Sequence, residues 1–257
     1  MSLPPSNTPK TSLPTPALHR TRIKVCGLTR EQDVDAAVAA GVDAVGFVLY
    51  APSPRAVTPQ RAAQLAQRLP PFVTPVLLFV NETTSNVIAA SAYVAGATLQ
   101  FHGDETNAQC WAASRQGASP FVRAARIPLG AAGAQFDLVE YAHAYPQAQA
   151  ILLDAHVEGY GGGGQSFQWS LLAPSVDCHL VLSGGLTPAS VTDGILQVRP
   201  RCPTLAVDVS SGVELDGPDG KPIKGIKNAD KIYRFVAAVR AADAQLANTS
   251  HVYLPAP

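Results

Sequence analysis

Short apolar runs alternate with longer segments rich in alanine from Arg22 onward. Eight of these runs are apolar nearly throughout and rich in β-branched side chains, which is typical of parallel strands covered on both faces. They span residues 22–26, 44–48, 73–80, 98–101, 121–124, 150–153, 179–182 and 204–207. The pattern predicts a sheet of eight parallel strands.

The segments between these runs carry helix-start signals. Thr58-Pro59 and Thr187-Pro188 each put a capping hydroxyl before a proline in the first helical turn. Helices are predicted over 31–40, 59–68, 86–95, 107–116, 189–198 and 229–247. The glycine- and alanine-rich stretch 127–135 and the glycine run 159–164, which leads to a short apolar turn near Trp169, predict no clear helix.

Strands alternating with helices in this order predict a closed (β/α)₈ TIM barrel of the α/β class, in a single domain. The alternative is an open, doubly wound sheet. The first turn of that sheet normally carries G-x-G-x-x-G, whereas residues 26–29 read Cys-Gly-Leu-Thr. We expect the barrel over 21–247, a disordered extension rich in Pro, Ser and Thr over 1–20, and a loose tail over 248–257.

Composition narrows the classes of function. Lys plus Arg equal Asp plus Glu at 19 each, with no basic run, so neither a nucleic acid nor an anionic membrane surface is an expected partner. No stretch approaches the roughly 20 apolar residues of a membrane helix, and the N-terminal segment lacks the apolar core of a signal peptide. The four cysteines are scattered without metal-binding spacing, which indicates free thiols, no metal site and a cytoplasmic location.

Two residues at predicted strand ends could transfer protons, because catalytic groups of such barrels lie at the C-terminal ends of strands. Cys26 is the last residue of the first predicted strand, and Asp154 follows the sixth. A thiolate at Cys26 could remove a proton, although a buried core cysteine is the alternative. Asp154 could act as an acid if its site keeps it protonated, or it could cap the next loop.

Two glycine-containing turns follow the seventh and eighth predicted strands. Gly184-Gly185 precedes the helix expected near Thr187-Pro188, and Ser211-Gly212 follows strand eight. Glycine lets the backbone approach a ligand closely, and exposed backbone N–H groups attract anions. Phosphate binds at this location in many (β/α)₈ barrels, so the two turns predict a phosphate site, with two ordinary turns as the alternative.

Seven motifs occur in one order along residues 22–239, each at a predicted strand end or loop. They are Lys24-x-Cys26-Gly27, Ser53-Pro54-Arg55, Leu99-Gln100-Phe101-His102-Gly103, Leu153-Asp154, the glycine run before Phe167-x-Trp169, Ser183-Gly184-Gly185-Leu186, and Asp208-x-Ser210-Ser211-Gly212-Val213-Glu214. This order resembles the phosphoribosylanthranilate isomerase family of tryptophan biosynthesis. The chain departs from the family pattern at Gln165 and Gln168, at Asn228, and in extra residues around 216–220 that we expect to form a surface hairpin.

The resemblance implies an enzyme that performs an Amadori rearrangement without a cofactor. Its substrate would be N-(5-phosphoribosyl)anthranilate and its product 1-(2-carboxyphenylamino)-1-deoxyribulose 5-phosphate. Asp154 would protonate the ring oxygen of the sugar, and Cys26 would take the proton from C2. Arg55 would bind the anthranilate carboxylate and Asp208 its nitrogen, while a solvated charge and a loop-fixing carboxylate are the alternatives for these two residues.

Several points stay open at this stage. Gln100 and His102 would line the mouth of the barrel, with His102 either packed and hydrogen-bonded or catalytic. Lys24 either tunes the thiol or is an exposed strand residue. The competing functions are another phosphate-binding isomerase of histidine biosynthesis and a non-catalytic barrel that binds a phosphorylated metabolite. The expected partner is a small phosphorylated sugar, and the chain could be a monomer or a homodimer.

Overall fold

The computed structural model describes residues 20–155, 172–173 and 175–251. Eight strands form a closed barrel in which every neighbouring pair is parallel and the eighth strand pairs with the first. They are β1 (Arg22–Cys26), β2 (Ala44–Val48), β3 (Thr74–Phe79), β4 (Thr98–Phe101), β5 (Phe121–Ile127), β6 (Ala150–Ala155), β7 (Leu180–Leu182) and β8 (Leu205–Val209). The predicted (β/α)₈ barrel is confirmed.

Helices follow the strands as the alternation predicts. They are α1 (Glu31–Ala40), α2 (Pro59–Ala66), α3 (Thr84–Ser91), α4 (Asn107–Ala113), α5 (Leu138–Ala144), α6 (Val191–Val198) and α7 (Ala229–His251). Thr58 caps α2 as expected, since its hydroxyl accepts a hydrogen bond from the Arg61 backbone N–H. The predicted start of α6 was wrong, because Thr187 and Ser190 bond each other and form a turn before the helix begins at Val191.

One described helix was missed from the sequence. Helix α5 follows a 3₁₀ turn at Gly130–Gln135, and the Asp137 carboxylate caps it by accepting from the Glu140 backbone N–H. The glycine run 159–164 and the predicted turn near Trp169 lie outside the described residues. In the part of the chain that the structure covers, no helix has the length and apolarity to cross a membrane.

Three strands continue past their predicted ends, and this changes where two site residues lie. Strand β6 includes Asp154, paired with Arg126 of the lengthened β5, and β8 includes Asp208. Both carboxylates therefore belong to the rigid barrel wall and not to the loops that follow it. Their position near the C-terminal end of each strand still matches the expected location of functional groups.

Side chains alternate between the two faces of each strand. On β1, Ile23 and Val25 join the main core between barrel and helices, whereas Lys24 and Cys26 face inward. A smaller apolar cluster forms around Cys26 inside the barrel, from Val48, Leu78 and Val80 with Tyr50 packed against it. The interior near the ends of β1 to β3 is therefore apolar except for the thiol and the lysine.

The extra residues after β8 form the expected hairpin. Strands β9 (Glu214–Asp216) and β10 (Pro222–Lys227) pair antiparallel, and a tight turn at Gly217–Gly220 joins them. Both strand ends nearest the barrel are buried, because Glu214 is fully buried and Lys227 is 4% exposed. The hairpin is thus anchored at its base before α7 begins.

Candidate active site

The Cys26 thiol lies inside the barrel mouth at the end of β1, with only 5% of the residue exposed. Room for it comes from Gly46 on the neighbouring strand. A Cβ atom at Gly46 would lie 2.6 Å from the Cys26 Sγ and 3.1 Å from the Lys24 Cε. Sulfur and lysine stem therefore pack against the same glycine, and any side chain at this position would displace them.

Lys24 is buried, so the prediction that it could be an exposed strand residue is excluded. Its ammonium pairs with the Asp208 carboxylate across the β1–β8 junction, with Nζ 2.9 Å from Oδ1. Burial lowers the pKa of the ammonium, but its interactions with Asp208 and with the Cys26 side chain outweigh burial and raise that pKa above its usual value. Lys24 is a cation at neutral pH.

The proton on Cys26 is held by its surroundings. Burial raises the pKa of this thiol above its ordinary value; Lys24 opposes that shift and Asp208 adds to it. At neutral pH the site therefore contains a neutral thiol beside a lysine–aspartate ion pair.

Asp154 lies at the end of a chain of buried side chains. Its Oδ2 is 2.9 Å from His102 Nε2, and His102 Nδ1 is 3.0 Å from the Gln100 side-chain nitrogen. The Gln100 side-chain NH₂ donates to Nδ1, which leaves the Nε2–H to donate a hydrogen bond to Asp154 Oδ2. His102 is thus packed and hydrogen-bonded, the first of the two roles left open by the sequence, and it orients the carboxyl group.

The loop that holds His102 is fixed from below. Arg123 of β5 donates to the Phe101 and Gly103 carbonyls and to the Glu105 carboxylate, which itself accepts from the Gly103 backbone N–H. The Arg123 guanidinium also stacks 5.0 Å from the centre of the Tyr145 ring. These contacts hold the backbone on both sides of His102 and so help to place its imidazole beside Asp154.

Arg55 is not a solvated loop charge, because it is 7% exposed and bound by another side chain. Its Nε and Nη2 donate to the two oxygens of Glu214, at 2.7 and 2.8 Å. Lys227 lies 3.3 Å from the same carboxylate and donates to the Ser210 carbonyl at 2.9 Å. Burial raises the pKa of Glu214, but the bonds from Arg55 and the charge of Lys227 bring it below its usual value.

The two glycine turns lie beside Asp154 and against each other. Gly184 has φ +77°, and a Cβ there would lie 2.8 Å from the Ala155 N and 3.1 Å from the Asp154 Oδ1. A Cβ at Gly212 would lie 1.9 Å from the Leu186 carbonyl oxygen, which belongs to the first turn. Gly185 also has a positive φ of 65°, and Ser211 begins a short 3₁₀ turn. The two turns therefore contact each other, and their close packing requires glycine at positions 184 and 212.

The structure groups the predicted site residues on the C-terminal ends of the strands. Cys26 and Asp208 meet through Lys24, while Gln100, His102 and Asp154 form a chain that ends beside Gly184. Sequence reasoning missed the cluster of Glu214 and Lys227 around Arg55. The available signal was weak: a lone acid and a lone lysine that flank the extra hairpin. Among the described residues, no group of His, Cys, Asp and Glu is arranged to hold a metal ion.

The sequence matches a known family model and known relatives along most of its length. The model described as N-(5'-phosphoribosyl)anthranilate (PRA) isomerase matches residues 23–238. The N-(5'-phosphoribosyl)anthranilate isomerase of Methylibium petroleiphilum is 60% identical over 228 residues, which cover 89% of this chain and 98% of the relative. That of Leptothrix cholodnii is 56% identical, over 91% of this chain and 97% of the relative.

Solved structures give the same result for the fold. Phosphoribosyl anthranilate isomerase from Thermotoga maritima superposes with a TM-score of 0.69 at 34% identity, covering 86% of this chain and 99% of that one. A phosphoribosyl anthranilate isomerase in complex with reduced 1-(o-carboxyphenylamino)-1-deoxyribulose 5-phosphate gives a TM-score of 0.66 at 32% identity, with the same coverage of both chains.

Proposed function

The chain belongs to the N-(5'-phosphoribosyl)anthranilate isomerase family and catalyses the Amadori rearrangement of tryptophan biosynthesis, and we propose that Cys26 is its general base and Asp154 its general acid. The observation that carries these roles is the geometry at the barrel mouth. The buried Cys26 thiol lies at the C-terminal end of β1, and the buried Asp154 carboxyl group lies near the C-terminal end of β6.

The reaction consists of proton transfers and needs no redox change. Protonated Asp154 gives its proton to the ring oxygen as the C1–O bond breaks and the nitrogen lone pair forms a C1=N bond. The Cys26 thiolate then removes the proton from C2, and those electrons form a C1=C2 bond and neutralise the nitrogen. The enolamine finally gains a proton at C1 and loses one from the C2 hydroxyl, which gives the ketone. No cofactor takes part in this scheme.

His102 orients Asp154 for the first step, because it contacts one of the two carboxyl oxygens. The His102 N–H donates to Oδ2, so the proton to be transferred resides on Oδ1, the oxygen beside the Gly184 turn. In the proposed mechanism, Oδ1 is therefore the oxygen that faces the sugar. A positioned acid or base of this kind contributes about 10²–10⁴-fold to the rate.

The remaining predicted residues are proposed to hold the two ends of the substrate. The turns at Gly184-Gly185 and Ser211-Gly212 bind the phosphate through backbone N–H groups. Arg55 offers Nη1 to the anthranilate carboxylate, since Glu214 occupies Nε and Nη2. Asp208 accepts from the substrate nitrogen. The ligand named for the solved relative, a reduced phosphorylated ribulose derivative, supports a substrate of this class.

We propose a cytoplasmic location, as expected for an enzyme of amino-acid biosynthesis. We propose no macromolecular partner other than a second copy of the chain. The Thermotoga maritima relative is dimeric, and monomers have been generated from it. Both a monomer and a homodimer are therefore kept as proposals for this chain. Light scattering of the purified protein measures which of the two occurs.

The decisive experiment compares Cys26→Ala and Asp154→Asn with the wild type, both in a tryptophan auxotroph that lacks this step and in steady-state kinetics. We expect the wild type to restore growth and each variant to lose about 10²-fold or more in kcat. Both should still bind the reduced product analogue, because the phosphate turns are unchanged. Cys202→Ala, which removes a half-buried thiol outside the site, is the matched control. Near-normal turnover by Cys26→Ala would refute the assignment of the base.

A further inference from the structure

We propose that Lys24 is a positioning residue that stabilises the Cys26 thiolate, and that Asp208 withholds this charge until the substrate nitrogen engages it. The base would then ionise readily only in the presence of substrate. This inference rests on the proposed role of Cys26 as the general base. It gives Lys24 a role in the reaction.

The geometry places the lysine between the two groups. Lys24 and Cys26 point to the same side of β1, and the backbone register sets Lys24 directly beside Asp208 of β8. The Nζ–Oδ1 distance of 2.9 Å makes a tight ion pair, and both side chains are less than a tenth exposed. On the other side, the lysine stem and the Cys26 sulfur share the space above Gly46. One cation therefore faces one carboxylate and one thiol.

Few other charges reach the thiol from the described elements. Strands β2 and β3 present Gly46, Val48 and Leu78, and Val80 follows β3; none of these side chains titrates, and Tyr50 packs at the edge of this cluster. Lys227 of β10 is the second cation that favours the thiolate, but Glu214 holds it at 3.3 Å. The balance at Cys26 therefore depends mainly on how firmly Asp208 holds Lys24.

A buried anion needs a counter-charge that is not already neutralised. In the free protein, ionising Cys26 would place a second negative charge beside a single lysine. When the substrate N–H donates to Asp208, that carboxylate shares its charge with the ligand and holds Lys24 less tightly. The lysine can then pair with sulfur, and the thiol proton leaves to solvent before C2 is deprotonated.

Alkylation of Cys26 tests the idea without turnover, because only the thiolate reacts. The wild type, Lys24→Met and Asp208→Asn are treated with iodoacetamide over a range of pH, and modification of the Cys26 peptide is followed by mass spectrometry. At a pH below the wild-type pKa, we expect alkylation about tenfold slower in Lys24→Met and about tenfold faster in Asp208→Asn, as one-unit shifts in opposite directions require.

Further variants separate charge from packing. Lys24→Arg keeps the cation, so Cys26 should be alkylated at nearly the wild-type rate. Lys221→Met removes an exposed lysine of the hairpin and should leave the alkylation rate of Cys26 unchanged. If Lys24→Met does not fold, Asp208→Asn alone decides the matter. Unchanged or slower alkylation in Asp208→Asn overturns the proposal. The turnover of Cys26→Ala separates this proposal from the proposed function. If Cys26→Ala has lost turnover, Cys26 remains the base even when the alkylation test fails. Near-normal turnover by Cys26→Ala refutes the proposed role of Cys26 itself.

Discussion

The base and the acid of this mechanism must hold opposite protonation states at the same pH. Cys26 must lose its proton to act, and Asp154 must keep one. The protein surrounds the thiol with apolar side chains, which favour its neutral form, and places Lys24 beside it, which favours the thiolate; the His102 N–H orients the Asp154 carboxyl group. Each residue's neighbours are therefore as much a part of the chemistry as the residue itself.

The raised pKa of Cys26 determines the pH dependence of the reaction. Because the free enzyme carries a neutral thiol at neutral pH, we expect kcat/KM to rise about tenfold per pH unit. The rise should level off only where the thiol ionises, at a pH above the ordinary pKa of a cysteine. The rise in kcat, which reports the substrate complex, should come at lower pH if substrate releases Lys24. Initial rates between about pH 6 and pH 9 measure both curves. A kcat/KM that stays flat over this range would contradict a protonated resting thiol.

At the scale of elements, the two turns after β7 and β8 work as one unit because they touch. The carbonyl of Leu186 in the first turn lies where Gly212 of the second turn has no side chain. A methyl group at Gly212 would meet that oxygen at 1.9 Å, so one of the two turns must move. The proposed phosphate site thus depends on a contact between loops as well as on the conformation of each.

Gly212→Ala tests this dependence. We expect KM for the phosphorylated substrate to rise about tenfold or more, the loss of one good charge-assisted hydrogen bond, with a smaller effect on kcat. Gly220→Ala is the control, because Gly220 also sits in a turn, at φ +75°, but a Cβ there has open space and lies at the hairpin tip. It should lower thermal stability slightly and leave KM unchanged. Equal KM values for the two variants would argue against a phosphate site at these two turns.

Sequence patterns predicted elements best where local and tertiary preferences agree. The bounds of β1, β2, β4 and α1 came out as predicted, since each is a clear apolar run or a segment with a glycine end. Helix α5 was missed because the glycine- and alanine-rich stretch before it hides its start, although Asp137 followed three residues later by Glu140 was a readable capping signal. Strands β5 and β6 run longer because each supplies the other's hydrogen bonds.

At the scale of the molecule, the site depends on closure of the barrel, which no local pattern reveals. Cys26 and Asp154 could be found from the sequence because each ends an apolar run. The pairing of Lys24 with Asp208 could not, since it exists only because the last strand returns to the first. The same holds for Glu214, which joins Arg55 from the early part of the barrel to Lys227 at the base of the hairpin.

Glu214 should therefore matter for the stability of the whole fold. It is fully buried between two cations, and Glu214→Gln leaves both of them without a counter-charge. Removing one partner of a buried ion pair lowers the free energy of unfolding by about 3 kcal/mol or more. Urea unfolding at pH 7 measures the loss. Asp216→Asn, which breaks the exposed pair with Lys231, is the control and should change little.

The acid limb of the stability curve gives a second measurement of the same cluster. The folded protein lowers the pKa of Glu214 below its unfolded value, so the carboxylate stabilises the fold fully above about pH 4 and loses this effect as the pH falls toward the folded pKa. The difference in unfolding free energy between wild type and Glu214→Gln should then shrink with acidification. A difference that stays constant from pH 7 into the acid range would mean that packing at Glu214, and not its charge, holds the hairpin to the barrel.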